Sequence, residues 1–161
     1  MCGIVGIYLK TKKFENNLGK MLSGMLNNME SRGPDSAGFA IYKNSDRKEY
    51  KYSLCINNLD FSKFKKNISQ KIKNLKLNQY SDHVILKTTE KPKKFINLIN
   101  KEFPEISIVG YGHSIEIFKQ VGNPKDVVKK FNLESFSGTH GIGHTRMATE
   151  SAITTDGSHP Y

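Results

Sequence analysis

The feature that most constrains this sequence is the cysteine at position 2, which begins the apolar run 3–7. Because an initiator methionine is generally removed when the second residue is small, Cys2 can become the amino-terminal residue. It would then carry a thiol and a free α-amine, and the amine could act as a base for the thiol, directly or through a water. The β-branched run that follows predicts a buried strand that holds this terminus rigid. An ordinary first strand with a chance cysteine is the alternative.

An amphipathic helix and a tight turn follow the first strand. Apolar residues recur at three- and four-residue steps through 18–29, which is the period of a helix with one buried face. The turn residues Gly33-Pro34-Asp35 come next, and strand character resumes at 39–42. Arg32 stands directly before the turn, where it could hold an anion or orient the terminus. A surface ion pair is the alternative role for this arginine.

A glycine-rich segment near the end of the chain carries a second candidate site. It predicts a short strand over 142–145, followed by a loop that contains Arg146 and Thr149. His140 and His144 are four residues apart and could bind a metal on a helix, but the neighbouring glycines disfavour a helix there. We therefore expect no metal site. The planar guanidinium of Arg146 suits bidentate binding of a carboxylate, and Thr149 adds a hydroxyl.

The middle of the chain, residues 43–133, is dense in lysine and asparagine and predicts a small α+β module inserted into the main domain. Its hydrophobic periodicity predicts helices at 61–77, 93–103 and 124–131, and strands at 50–56, 83–87, 106–111 and 114–121, with a turn at 110–113. The first two of these helices, placed among the four strands, suggest a split βαβ arrangement. We expect Cys55 to be a buried, inert thiol. The lysine-rich face is a solvated surface or docks onto a partner subunit.

Composition limits the classes of function. The 161 residues suit one domain with an insertion, and two cysteines are too few for a disulfide framework. The net charge of +10 comes mostly from scattered lysine, with arginine only at positions 32, 47 and 146, so we expect no specific nucleic-acid binding. No apolar run of about 18 residues and no secretory signal occur in the sequence, which predicts a cytoplasmic protein without a membrane span.

Three segments together resemble the class-II glutamine amidotransferases, whose glutaminase domains use an N-terminal nucleophile. They are residues 2–6 (CGIVG), 32–38 (RGPDSAG), and 143–149 (GHTRMAT) continuing through His159-Pro160. The resemblance covers about 2–42 and 138–161, because the middle does not match the common domain. More narrowly, residues 137–140 and 146–155 resemble the glutamate-synthase-related amidotransferase subunit of N-methylglutamate synthase.

The resemblance implies a fold and a reaction. The fold is an α+β four-layer αββα sandwich, of which residues 1–161 would be the N-terminal part. The thiol of Cys2 would attack the side-chain amide of glutamine, releasing ammonia and forming a glutamyl thioester that water hydrolyses to glutamate. Arg146 would bind the α-carboxylate with help from Thr149, while Arg32, Gly33 and His144 would support the site. No cofactor is implied, and a synthase partner subunit would use the ammonia.

The sequence departs from the family at one point. The family pattern continues past His159-Pro160 into an Asn-Gly pair that supplies the oxyanion hole, and that pair is not in these 161 residues. We therefore expect a C-terminally incomplete sandwich that is a truncated product, a fragment or half of a split domain. A noncatalytic subunit that keeps the fold and senses an amino acid is the alternative function.

Overall fold

The computed structural model describes residues 2–57, 59–147, 154–155 and 157–160. In chain order, the elements are β1 (Gly3–Tyr8), α1 (Leu18–Asn27), β2 (Ser36–Tyr42), β3 (Tyr50–Cys55), α2 (Phe61–Lys71), β4 (Lys76–Tyr80), β5 (His83–Thr88), α3 (Pro92–Glu102), β6 (Ser107–Gly112), β7 (Ile115–Val121), α4 (Pro124–Phe131) and β8 (His140–Arg146). Short 3-10 turns lie at Lys12–Asn17, Glu30–Arg32 and Leu133–Ser135.

The chain divides into two compact units. The first unit combines Met1–Asn44 with Ile117–Tyr161, and the second is Ser45–Glu116. The sequence analysis placed the inserted module at 43–133, whereas the compact unit in the structure is shorter at its carboxyl end. The α+β class is confirmed, because the described residues form two antiparallel four-stranded sheets and four helices.

The first unit is built on a sheet with strand order β1-β8-β2-β7, in which β8 pairs antiparallel with both β1 and β2. One face is covered by α1, whose buried residues Leu18, Leu22 and Leu26 follow the predicted helical period. A cluster of aromatic rings fills the space beside them, and it consists of Phe39, Phe118, Phe131 and Phe136. Burial of this apolar surface is the main stabilising contribution to the unit.

The opposite face of the same sheet exposes large apolar side chains. Ile4 is 70% exposed, Tyr8 72% and Ile142 37%, although all three lie on sheet strands. Ile4 and Tyr8 alternate with the buried Gly3 and Val5, as expected when successive residues of a strand point to opposite faces.

The second unit has the order β-α-β-β-α-β, with the sheet arranged β4-β5-β3-β6 and all determined pairs antiparallel. Strand β5 lies between β3 and β4, which makes the split βαβ arrangement that the sequence suggested. Helix α2 begins at a cap formed by Asp60, whose carboxylate accepts hydrogen bonds from the backbone nitrogens of Ser62 and Lys63 at 2.8 and 3.0 Å. Both helices pack Phe64, Phe95 and other apolar residues onto one face of the sheet.

Three predicted elements differ from the structure. The helix predicted over 61–77 ends at Lys71, because Ile72 is extended and Asn74 adopts a left-handed φ of 52° that reverses the chain into β4. The fourth strand of the module is therefore β4, which the sequence analysis missed, and not 114–121, which becomes β7 of the first sheet. The turn predicted at 110–113 is also wrong, since β6 continues to Gly112. No helix among the described residues has the length and apolar character needed to cross a bilayer.

Two glycines of α1 allow a matched test of packing. A Cβ at Gly19 would overlap the carbonyl oxygens of Leu133 and Phe136, whereas a Cβ at Gly24 would have no atom within 4 Å. We predict that Gly19→Ala lowers the free energy of unfolding by about 1–3 kcal/mol through overpacking. Gly24→Ala should raise it by about 0.5–1 kcal/mol, since alanine favours a helix. Urea unfolding of both variants measures this, and equal effects at the two positions would contradict the described packing.

Candidate functional site

One end of the first sheet collects the residues that the sequence analysis singled out. The β1–β8 register pairs Gly3 with Thr145. Cys2 directly precedes Gly3 and Arg146 directly follows Thr145, so both residues lie at the same end of this strand pair. The β2–β8 register pairs Arg146 with Ser36 on its other side. Directly paired residues share a face of a sheet, so Arg146 and Ser36 form a row at this end, and Cys2 adjoins it.

The turn before β2 packs against the same end of β8. A Cβ at Gly33 would come within 2.6 Å of the backbone nitrogen of Arg146, so only glycine fits this close approach. The backbone N–H of Asp35 donates to the carbonyl of Arg146 at 3.2 Å. Arg32 is exposed at the end of its 3-10 turn, and its Cβ lies 3.4 Å from the position that a Cβ at Gly3 would occupy. The turn therefore sets Arg32 beside the start of β1.

The guanidinium of Arg146 is oriented by a backbone carbonyl. Its Nη1 donates to the carbonyl oxygen of Gly157 at 2.6 Å. Gly157 is in turn fixed by a tight turn, because its N–H donates to Oγ1 of Thr154 at 3.0 Å, and the hydroxyl of Ser158 donates to the Thr154 carbonyl at 2.8 Å. This chain of hydrogen bonds limits the positions that the planar guanidinium can take.

Two imidazoles lie over the sheet beside this row. The rings of His144 and His159 are 4.4 Å apart between centroids and tilted by 43°. A Cβ at Gly38, the β2 partner of His144, would overlap the carbonyl of His159, which shows how closely the segment 157–160 lies on the sheet. Burial lowers the pKa of His144, and the neighbouring His159 lowers it further.

The pKa of His159 is also lowered, first by burial and then by the positive charges of Arg146 and Lys119. Both imidazoles are therefore held toward their neutral forms. A neutral imidazole can donate a hydrogen bond from one nitrogen and accept at the other.

Among the described residues, a buried hydroxyl oxygen and a buried imidazole nitrogen of this site have no hydrogen-bond partner. They are Oγ of Ser36, whose residue is fully buried, and Nδ1 of His144. An unsatisfied buried polar group costs about 1–3 kcal/mol, so such groups are where a polar ligand gains most by binding. Together with the Arg146 guanidinium and the exposed Cys2, they provide a nucleophile, a cation and neutral polar groups within a few strand positions.

The structure brings five of the six predicted site residues to this end of the sheet, namely Cys2, Arg32, Gly33, His144 and Arg146. Thr149 lies outside the described residues, and its role stays a prediction. The sequence analysis gave no role to Ser36 or His159. Both belong to motifs already named, RGPDSAG and His159-Pro160, but only the structure shows their proximity to Arg146.

Comparison with known proteins supports a relationship between this chain and the glutamine amidotransferases. No family model matches the chain. Over its whole length the chain is 41% identical to the glutamine amidotransferase-like protein GlxB of Rhizobium meliloti (strain 1021) and covers 54% of it. It is 30% identical over its whole length to a putative glutamine amidotransferase of Methanothermobacter thermautotrophicus, covering 56%.

A third similarity covers a shorter segment of the chain. Over 48 residues, 30% of this chain and 8% of the relative, the chain is 42% identical to the glutamine–fructose-6-phosphate aminotransferase (isomerizing) of Methanococcus maripaludis. The chain spans about half the length of the first two relatives.

The histidine pair makes stability depend on pH. Because the folded state lowers the pKa of His144, the unfolded state binds more protons as the pH falls through about 6.5. We predict that stability is full above this pH and declines below it, and that His144→Gln flattens the decline. Thermal unfolding midpoints between about pH 5 and about pH 8 measure this effect. His113→Gln, in the second unit, is the control, and an unchanged slope in His144→Gln would contradict the prediction.

Proposed function

We propose that this chain, as a relative of glutamine amidotransferases, performs the glutamine-hydrolysing half-reaction with Cys2 as its nucleophile. The observation that supports the proposal is the strand register, which pairs Gly3 with Thr145 and so brings the neighbours of these residues, Cys2 and Arg146, to the same end of the sheet. A nucleophile and a carboxylate-binding cation are two of the groups that hydrolysis of an amino-acid side-chain amide requires. The names of the relatives also support the proposal, since they point to glutamine as the substrate.

The chemistry requires removal of Met1, because the free α-amine of Cys2 is the proposed base. The amine takes the thiol proton, and the sulfur forms a bond to the side-chain amide carbon of glutamine. The carbon–nitrogen bond then breaks, and ammonia leaves with the proton returned from the amine. Water hydrolyses the γ-glutamyl thioester, which yields glutamate and restores the thiol.

In this proposal, Arg146 binds the α-carboxylate of glutamine. Its hydrogen bond to Gly157 orients the guanidinium before the substrate arrives, which lowers the entropic cost of binding. Arg32 and Gly33 position the start of β1, while His144 and Thr149 complete the polar surroundings. The Ser36 hydroxyl is a further candidate contact to glutamine, because it is buried next to Arg146 in the same row.

The proposal includes the class-II, N-terminal-nucleophile architecture. The apolar face that carries Ile4, Tyr8 and Ile142 would pack against a second sheet and so complete a four-layer sandwich. A synthase, such as an N-methylglutamate or glutamate synthase, would receive the ammonia.

Covalent labelling tests the nucleophile. We predict that the glutamine analogue diazo-oxo-norleucine adds once to the chain at Cys2, after Met1 has been removed, and that intact-mass and peptide mass spectrometry locate the adduct. Cys2→Ala should abolish labelling, whereas Cys55→Ala should leave it unchanged, because Cys55 is buried. Retained Met1 together with an unlabelled Cys2, also when a synthase partner is supplied, would rule out this mechanism.

A second prediction concerns the carboxylate site. Arg146→Lys loses a bidentate, charge-assisted contact worth about 1.5–3 kcal/mol, so we expect the KM or Kd for glutamine to rise about 10–100-fold. Arg47→Lys makes the same change at an exposed position of the second unit and should have no effect. Circular dichroism verifies that both variants fold. Glutamine binding without turnover, unaffected by Cys2→Ala, would instead identify an amino-acid sensor.

A further inference from the structure

We propose that the Ser45–Glu116 unit contains a binding site for a divalent transition-metal ion, Zn²⁺, formed by Cys55, Asp82 and His83. This site is separate from the row at Cys2 and Arg146, and its three ligands all lie within the second unit. A thiolate, an imidazole and a carboxylate are the three side-chain ligand types that zinc sites in proteins use.

Strand pairing brings the three residues together. The β3–β5 register pairs Cys55, the last residue of β3, directly with His83, the first residue of β5. Directly paired residues lie on the same face of a sheet with their Cβ atoms about 4.5–5.5 Å apart. Asp82 immediately precedes His83 in the short turn from β4, and its carbonyl accepts the backbone N–H of Ile56 at 2.8 Å. Backbone hydrogen bonds therefore fix the turn beside Cys55.

The distances between the ligand atoms fit a zinc ion after small side-chain rotations. One ligand atom from each of the three residues lies within 4.8 Å of the other two. In a tetrahedral site with the usual zinc–sulfur and zinc–nitrogen bond lengths, neighbouring ligand atoms are about 3.3–3.7 Å apart. Nδ1 of His83 and Oδ1 of Asp82 are 2.9 Å apart. The separations thus need to change by at most about 1.5 Å, which small rotations within a rotamer well can supply.

Burial and access also suit such a site. Cys55 is 1% exposed and His83 is fully buried, as expected for ligands that exclude competing water. The Cys55 thiol donates to Oδ1 of Asn57 at 3.2 Å, and Asn57 lines an open cleft of about 370 Å³ together with Ile56, Leu59 and Glu105. An ion could enter from this cleft, and a water there could supply the fourth ligand. Binding would replace the sulfur–hydrogen bond with a sulfur–zinc bond and release the proton to solvent.

The ion would link the end of β3 to the start of β5 and so stabilise the centre of the module sheet. Without a metal, Asp82 and His83 form a hydrogen-bonded pair at the β4–β5 turn, and the Cys55 thiol donates to Asn57. These two roles make different predictions for spectroscopy.

Cobalt substitution distinguishes the two roles. The reduced, chelator-treated chain is titrated with Co²⁺, and we expect one equivalent to bind with a near-ultraviolet thiolate-to-cobalt charge-transfer band. Cys55→Ser should abolish the band, whereas Cys2→Ser, the matched thiol control, should retain it. Zn²⁺ should displace the cobalt, and His83→Gln should weaken its affinity by about tenfold or more.

A stability measurement covers the case in which Cys55→Ser does not fold. Zn²⁺ should raise the thermal unfolding midpoint of the unmodified chain but not that of Asp82→Asn, which changes a partly exposed side chain. A purely hydrogen-bonded role predicts no charge-transfer band and no zinc-dependent rise in the midpoint. Either that result or a band that depends on Cys2 would overturn the proposal.

Discussion

The antiparallel pairing of β8 with both β1 and β2 is the interaction on which the candidate site depends. Cys2, Arg146 and Ser36 come from distant parts of the sequence, and no helix or local turn could bring them together. The β2–β8 register pairs Arg146 with Ser36, so a slip of one residue in this register would move Arg146 to the opposite face of the sheet. Gly141 and Gly143 assist this pairing, because a Cβ at either would crowd the side chains of α1.

The electrostatics of the site follow from the same arrangement. Nη1 of Arg146 donates to the backbone carbonyl of Gly157, which is a neutral acceptor, so this contact does not neutralise the charge of the guanidinium. That charge, with burial, keeps the nearby His159 toward its neutral form. In the proposed reaction, the substrate carboxylate would meet a preoriented cation beside imidazoles that are held toward their neutral forms, an arrangement that attracts an anion without excess positive charge.

Local patterns predicted the parts of this structure that depend on neighbouring residues. The period of α1, the turn at Gly33 and the strand character around Cys2 could all be read from the sequence. The failures have physical causes: Ile72 and Leu75 continue the helical period of α2, but Asn74 reverses the chain. Likewise, β4 carries mostly polar residues, so it forms a strand because it pairs with β5 and not because of a hydrophobic pattern of its own. The proximity of Cys55 to His83 also depends on strand register, so no spacing motif could indicate it.

The position of the second unit in the chain has a consequence for evolution. The N–H of Gly122 donates to the carbonyl of Asp35 at 2.9 Å, so the start of β2 lies beside the end of β7. The two strands are neighbours in one sheet, and the Ser45–Glu116 unit is inserted where an ordinary hairpin loop would join them. Such an insertion leaves the strand order of the host sheet unchanged. Descendant lineages could therefore acquire, replace or discard this unit while inheriting an unaltered host sheet.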